Sequence, residues 1–442
     1  MKKKKLKIPV DFELKDKFNH YKNIEVLEYI KLKSKFLKKF NKNNTLILVK
    51  NNCGIFFWLN ILTCIKNGFT VFPINSSYKI NELKNYYKTI ITLNKNKIFT
   101  KVNKKYIVNK NIKNFNFISA TSGSTGKPKL ILLDFNKILS NVKKVKSFCK
   151  LKKNKNYFVA IPGYFYSAIL HFFTALINGS KFIHVEEKMF PLDLINNLNK
   201  YDANYFGGPP LHNKWVIESC NQLTKIEKTF SSGDFLDENT LKKYKSIKNK
   251  FEFFYMYGIT EASGRVCINN LNQTKNFNSV GKPLSLYKFI FKNNEIYIKS
   301  NYLFFGYFFE NKFELLKKNI YETGDQGLML RNGSVILQGR KDDIFKSSGI
   351  KIFTQKIRNF LIQSKLFSDV FIFKGKLENY GYVPFCAYES QKQIKYDKIK
   401  SITSNQNQLD SFHIPKKFIW YKKLPRLANN KIDRLKIIKN EK

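Results

Sequence analysis

Two short apolar runs, residues 115–118 (FNFI) and 130–133 (LILL), enclose the stretch Ala120-Thr121-Ser122-Gly123-Ser124-Thr125-Gly126-Lys127-Pro128-Lys129. Apolar runs this close to a small-residue loop predict strand, loop, strand, with the loop held at both ends rather than free as a linker. Two glycines let the backbone approach a ligand closely. Four hydroxyls and the free N–H groups make a concavity that suits an anion, and the lysines at its end can hold phosphate charge. The loop is not a Walker A motif, because Thr121 and Pro128 stand where that motif needs Gly and Ser/Thr. Asp134 then reads as the N-cap of a helix that puts Ile138, Leu139, Val142 and Val145 on one face.

Upstream, residues 45–49 (TLILV) and 70–74 (TVFPI) read as buried strands around a helix-spaced apolar stretch, 55–67, that Gly68 stops. Strand, helix, strand with short connections predicts a parallel sheet. Downstream, Asn332-Gly333 between 328–330 and 335–337 predicts a hairpin with a type I′ turn. Residues 340–343 (RKDD) read as a charged hinge. Beyond them we expect a helix over 355–364, strands over 370–373, 383–388 and 417–421, and a polar linker over 391–410. That is enough for a small α+β domain. The expected division is 1–340 and 341–442.

The chain has 442 residues and a formal net charge of +48, with 43% apolar residues. So much apolar material excludes wholesale disorder. Only six of the 80 basic residues are arginine, and the lysines are spread along the chain. A footprint on nucleic acid is normally focused, so the charge reads as compositional drift, with no specific nucleic-acid partner. Where lysine is the default, each arginine (265, 331, 340, 358, 426, 434) points to a place that needs a planar, forked donor. Six scattered cysteines form no CxxC pair, which argues against zinc and disulfides and fits a reducing, cytoplasmic setting. The basic opening has no apolar stretch behind it, so no signal peptide is expected. The longest apolar runs, 55–65 and 168–177, fall short of the ~20 residues that span a bilayer.

The stretch TSGSTGKPK resembles the phosphate loop of the AMP-forming adenylating enzymes, the superfamily of acyl-CoA synthetases, peptide-synthetase adenylation domains and firefly-type luciferases. Four more segments resemble its motifs in the same order. They are YGITE (257–261), YETGDQG (321–327), GRKDDIFKSSGIKI (339–352) and LPRLANNKIDR (424–434). SSGDFL (231–236) and the stretch 279–308, which ends in GYF, match more softly. The fold this implies is α/β. A large N-terminal domain has helix-flanked, mostly parallel sheets and a small β-barrel-like portion, and a small mobile α+β C-terminal domain follows.

The resemblance also implies roles. A carboxylate must attack a polyanion, and like charges ~4 Å apart repel by about 4 kcal/mol at an effective dielectric near 20. Cations and aimed dipoles are therefore the first requirement. Thr121, Ser122, Gly123, Ser124, Thr125, Gly126 and Lys129 would hold the β and γ phosphates of ATP. Glu261 would ligate Mg²⁺ and Thr260 would bond the α-phosphate. Tyr257, beside Gly258, would stack on adenine next to the backbone of Gly233 and Asp234. Asp325 would accept the ribose hydroxyls, with Arg340 on ribose or phosphate. Lys431 would bridge the substrate carboxylate and the α-phosphate. Asp342 would be the hinge, and Ser348, Gly349 and Lys351 would line a tunnel for a pantetheine thiol.

The implied activity is an AMP-forming carboxylate–CoA ligase. Alternatives are transfer to the pantetheine of an acidic carrier protein, or a decayed scaffold that binds nucleic acid. Some residues depart from the family pattern. Residues 161–168 (IPGYFYSA) offer Tyr164, Phe165 and Tyr166 where a histidine is often found. They also lack the aspartate that holds an α-amine, which points to an acyl or aryl acid, such as the substrate of the succinylbenzoate–CoA ligase type. Lys356 and Arg358 replace the usual glutamates after Ile352, and Leu427 and Asn430 replace Thr and Gly near Lys431. His171 reads as a core or substrate-wall residue rather than a metal ligand.

Overall fold

The helix Ile55–Asn67 has apolar residues on almost every face, so it must be buried all round. A computed structural model of the chain shows how. It describes residues 6–51, 54–75, 82–94, 97–120, 129–187, 189–347, 350–378, 381–403, 409, 411–426 and 432–441. The strands Thr45–Lys50 and Thr70–Ile74 flank this helix in sequence and pair in parallel, as the strand–helix–strand pattern predicts. The free N–H of Ile55 at the helix start is taken by Asp16 Oδ2 at 2.8 Å, from a segment 39 residues away. Gly68, at φ 77°, closes the other end in the left-handed conformation.

An eight-stranded sheet runs in the order Lys312–Leu315, Gly306–Phe309, Leu130–Leu133, Phe117–Ala120, Thr70–Ile74, Thr45–Lys50, Thr89–Asn94, Lys97–Val102. Phe117–Ala120 and Leu130–Leu133 are the two strands expected on either side of the small-residue loop, and they pair antiparallel. Asp134 caps the following helix, Phe135–Phe148, by accepting from Asn136 N at 2.8 Å. A nine-stranded sheet is parallel from Glu252–Ile259 through Lys228–Ser232, Tyr205–Gly208, Asn156–Val159 and Lys181–His184 to Glu13–Lys15, with antiparallel strands outside. Lys288–Lys292, Glu295–Lys299, Ile320–Met329 and Val335–Arg340 form a separate four-stranded antiparallel sheet.

From Phe345 onward the chain builds cores of its own. One lies between the helix Thr354–Gln363 and the strands Asp369–Leu377 and Gly381–Glu389. The other takes Leu424 and Ile437 against the same sheet. The stretch expected as a polar linker contains a helix, Tyr396–Thr403, whose Ile399 is buried in the first of these cores. One apolar residue per turn was too weak a signal to read. Among the described residues no helix is long and apolar enough to cross a membrane.

The predicted hairpin forms, but not with a type I′ turn. Gly333 is at φ 80°, whereas Asn332 does not have a positive φ. Gly333 N donates to Leu330 O, and Leu330 N to Ser334 O, which makes a three-residue loop with Gly333 as its left-handed residue. Two paired positive-φ dipeptides do occur, Asn293-Asn294 (50°, 66°) and Glu310-Asn311 (47°, 64°), in tight hairpins the sequence reading passed over.

Gly281 sits at φ 87°, and a Cβ there would lie 2.1 Å from the Ile268 carbonyl oxygen. Urea denaturation should rank Gly281→Ala as much the more damaging of two variants. Asp134→Ala should cost about 1 kcal/mol, the worth of a helix cap. The reverse order would mean that the turn at Gly281 yields freely.

Candidate active site

The strand Glu252–Ile259 carries Tyr257 and Gly258 near its end, and the chain reverses through the short turn Thr260–Ala262 into Gly264–Asn270. The reversal requires Gly258, because a Cβ there would stand 2.6 Å from the Gly264 carbonyl oxygen. Asp325 lies in Ile320–Met329, directly across the ladder from Arg340. Gly324 before it is at φ 69°.

These residues meet on one carboxylate. Arg340 Nε is 2.7 Å from Asp325 Oδ1, and the Tyr257 hydroxyl donates to Asp325 Oδ2. Arg340 Nη1 also donates to the Thr323 carbonyl at 3.1 Å, so its fork is fixed. Asp325 is buried, 7% exposed. Burial raises its pKa above the ordinary value, while Arg340 and the Tyr257 hydrogen bond pull it back and nearby Glu261 pushes it up. The Tyr257 ring is buried edge-on to Phe289.

Glu261 is held by a second set of contacts. The Tyr307 hydroxyl donates to Glu261 Oε1 at 2.7 Å, and the Tyr321 hydroxyl lies 2.8 Å from that of Tyr307. Phe304 packs edge-on against both rings. The Lys129 ammonium lies over the rings of Tyr307 and Phe309, 5.4 and 5.0 Å from their centroids. The three large sheets therefore converge here. Tyr257 and Glu261 come from the nine-stranded sheet and its turn, Tyr307 from the eight-stranded sheet with Lys129 just before its strand Leu130–Leu133, and Tyr321, Asp325 and Arg340 from the four-stranded one. Tyr307 and Tyr321 lie in stretches the sequence had matched (GYF and YETGDQG), but nothing in the spacing showed that they would touch Glu261.

The other predicted residues divide. Gly233 and Asp234 are exposed and follow Lys228–Ser232, the parallel neighbour of the strand that carries Tyr257. Thr260 is half-buried in the turn before Glu261. Lys351 is exposed on the hairpin strand Ile350–Phe353, apart from this network. Thr121 to Gly126, Ser348, Gly349 and Lys431 lie outside the described residues, as does the side chain of Asp342. The residues on either side of the Lys431 segment, Arg426 and Ile432, pair in an antiparallel bridge. Arg434 Nη1 donates to both oxygens of Asp343 at 2.7 Å, which ties the last helix to the turn Lys341–Asp343. Arg358, in place of a glutamate, pairs with Asp369 at 3.0 Å.

The chain is similar in sequence and fold to known proteins. The 2-succinylbenzoate–CoA ligase of Staphylococcus epidermidis is 23% identical over 337 residues, 74% of this chain and 70% of that protein. The o-succinylbenzoate CoA synthetase of Bacillus subtilis, solved with its acyl-adenylate intermediate, superposes with a TM-score of 0.78 at 16% identity, covering 96% of this chain and 94% of that one. The anthranilate CoA ligase AuaEII, solved with anthranoyl-AMP, gives 0.81 at 14% identity, covering 97% and 94%.

Tyr257→Phe removes the contact that favours the charged form of Asp325, so the carboxyl should protonate at a higher pH. If Asp325 receives the ribose, ATP binding by calorimetry should weaken by about tenfold near neutrality. The acidic limb of the affinity profile should also move upward; an unmoved limb would show that Tyr257 does not tune this carboxyl. Residues 88–308, half of the chain, match the family described as AMP-binding enzyme, and the chain belongs to that family.

Proposed function

We propose that the chain is an AMP-forming carboxylate–CoA ligase. In the first step a carboxylate oxygen attacks the α-phosphorus of ATP, the bond to the β-phosphate oxygen breaks, and pyrophosphate leaves. In the second step a thiol sulfur, having lost its proton, attacks the acyl carbon and AMP departs with the bonding pair. The observation that carries this reading is the joining of Tyr257, Asp325, Arg340, Glu261, Tyr307 and Lys129 where three sheets meet. It sets a ribose-type carboxylate and an acidic metal-type ligand side by side, with a cation nearby.

In this reading Asp325 holds the ribose, assisted by Arg340, and Tyr257 and the backbone at Gly233 and Asp234 border the adenine. Thr121 to Gly126 and Lys129 receive the β and γ phosphates, and Thr260 the α-phosphate. Lys431 draws the two reacting anions together. Among the described residues no cluster of three or more His, Cys, Asp or Glu could cage a metal. A single carboxylate, Glu261, suits Mg²⁺, which is commonly held by one or two carboxylates, water and substrate phosphates. When bound, the ion would offset phosphate charge.

The division at 340/341, with Asp342 as hinge and Ser348, Gly349 and Lys351 along the thiol path, is part of the proposal. It is supported by the separate cores beyond Phe345. Relatives named as CoA ligases favour CoA as the thiol. A net charge of +48 keeps an acidic carrier protein as the other acceptor. The aromatic trio Tyr164, Phe165 and Tyr166, with no α-amine carboxylate, favours an acyl or aryl acid. The five described cysteines are all free, which supports a cytoplasmic, reducing setting.

The decisive measurement is acid-dependent exchange of labelled pyrophosphate into ATP. Lys431→Ala should reduce exchange by at least about a hundredfold while the unfolding midpoint stays put. Exchange that survives this change, or that no acid in a broad panel supports, would remove the assignment. Glu261→Gln should raise the Mg²⁺ concentration needed for half-maximal ATP binding by about tenfold or more. Calorimetry against an Mg²⁺ series reads this directly, and an unaltered Mg²⁺ dependence would place the ion elsewhere.

A further inference from the structure

One flank of the molecule is both apolar and basic. Two sheet edges meet there. The nine-stranded sheet ends in the short strand His20–Tyr21, and the eight-stranded sheet ends in Lys97–Val102. The helix Ile55–Asn67 puts these edges on one side. It packs on Thr45–Lys50, Thr70–Ile74 and Thr89–Asn94 of the eight-stranded sheet. Its Trp58 ring meets Phe182 and His184 of the strand Lys181–His184, the neighbour of Glu13–Lys15 in the nine-stranded sheet. The helix Asn23–Leu37 lies against Ile55–Asn67, Glu13–Lys15 and His20–Tyr21, with Val26, Ile30 and Leu37 turned inward.

Apolar side chains gather on the outside of this flank. Among the described residues 22 large apolar side chains are exposed, and nine of them fall within residues 10–32 and 99–108. Those two stretches make up less than a tenth of the chain. Single exposed apolar residues are ordinary, but a concentration of them marks a surface that meets something. Val10 is 84% exposed, and Phe18 and Val108 are 83% exposed. Ile24, Leu27 and Leu32 stand on the outer side of Asn23–Leu37, and Phe99 and Val102 on the edge strand.

The same stretches are rich in lysine. Over the chain 74 of 442 residues are lysine, one in six; in residues 1–39 it is 13, one in three. Residues 97–110 hold five lysines and no acid, and all five lysines are exposed. Compositional drift sets the average and does not account for a local doubling. Exposed Lys31, Lys35 and Lys38 continue the helix side of Ile24 and Leu27 at spacings of three and four. Several acids nearby are engaged. Asp16 is buried at the Ile55 N–H, Glu13 pairs with Lys181 at 3.0 Å, and Glu25 accepts from Lys22 N. Asp11 and Glu28 remain exposed.

We propose that this flank docks on the surface of a bilayer that carries anionic lipid. The lysines meet the headgroup phosphates, and Phe18, Ile24, Phe99 and Val108 enter the boundary of the acyl chains. A lipid interface takes lysines and apolar side chains together, since the long stems let the ammonium groups stay at the headgroups. A second copy would bring the same lysines against these, and lysines on an edge strand oppose pairing with another strand. The inference rests on this surface alone and does not depend on the ligase reading.

The test is sedimentation of the full chain with vesicles of phosphatidylcholine, alone or with phosphatidylserine. Anionic vesicles should bind at least about tenfold more tightly than neutral ones. Lys97→Gln, Lys101→Gln, Lys104→Gln and Lys105→Gln combined should weaken that binding at least about tenfold. The charge-matched control is Lys243→Gln, Lys245→Gln, Lys248→Gln and Lys250→Gln combined. It lies in and after the helix Glu238–Ile247, which joins Lys228–Ser232 to Glu252–Ile259 toward the other end of the nine-stranded sheet. It should alter binding by less than about threefold, because the attraction fades within a Debye length. Phe18→Ser with Phe99→Ser should weaken binding by about tenfold and remove most of what persists at high salt. Phe99→Trp should show a blue shift of emission with anionic vesicles that wild type does not show. Equal losses in the two lysine variants would mean diffuse charge and overturn the proposal, as would a serine variant that binds like wild type. No vesicle binding, with a wild-type dimer that the serine variant dissociates, would give the flank to a second copy and overturn it. Should the serine variant not fold, Phe99→Trp decides, and an unshifted emission overturns the proposal.

Discussion

A carboxylate taken out of water must be repaid in directed contacts, and Asp325 shows what that requires. Its two oxygens are met by Arg340 from the next strand and by Tyr257 from another sheet. Arg340 is set by the ladder of its own sheet, but Tyr257 would not be in place unless the four-stranded and nine-stranded sheets were docked in register. The cost of leaving this charge unmet therefore joins local pairing to the assembly of the site. Glu261 repeats the arrangement one step away, with Tyr307 reaching it from a third sheet. Glu261 adds to the rise that burial imposes on the Asp325 carboxyl, and Arg340 and the Tyr257 hydroxyl oppose that rise.

The apolar architecture makes this possible. Helices such as Ile55–Asn67 and Tyr166–Asn178 bury nearly all their faces and leave few polar groups to satisfy. The polar groups gather at strand ends and turns, where backbone is free and glycines permit sharp reversals. Gly258 against Gly264 and Gly324 before Asp325 are examples. The same economy makes Arg265 conspicuous. In a chain that uses lysine almost everywhere, an arginine kept inside the protein beside a neutral imidazole contrasts with Arg340, Arg358, Arg426 and Arg434, each of which faces an acid.

Much of this was legible from residue order. Period and punctuation gave the strands around Ile55–Asn67, the strand pair around the small-residue loop, and the cap at Asp134, because these depend on neighbours within a few positions. The turn at Asn332-Gly333 was read as the wrong type. Its geometry is set by how the two strands meet, and a left-handed residue is needed only at Gly333. The helix Tyr396–Thr403 was missed because its one deeply buried apolar residue, Ile399, finds its partners only in the small core.

The sequence by itself determined which residue types were available: a hydroxyl-rich loop, YGITE, a glycine-preceded aspartate, and a few arginines in a lysine background. Short-range chemistry and motif order carry that information without coordinates. Only the tertiary structure decided which of these touch. It placed Tyr307 and Tyr321 on Glu261, spent the Tyr257 hydroxyl on Asp325, and closed Arg265 in with His171. Those pairings join residues 46 to 94 positions apart, through sheets whose docking is fixed by burial of apolar surface. That driving force depends on area and has no direction along the chain, so no local pattern records it.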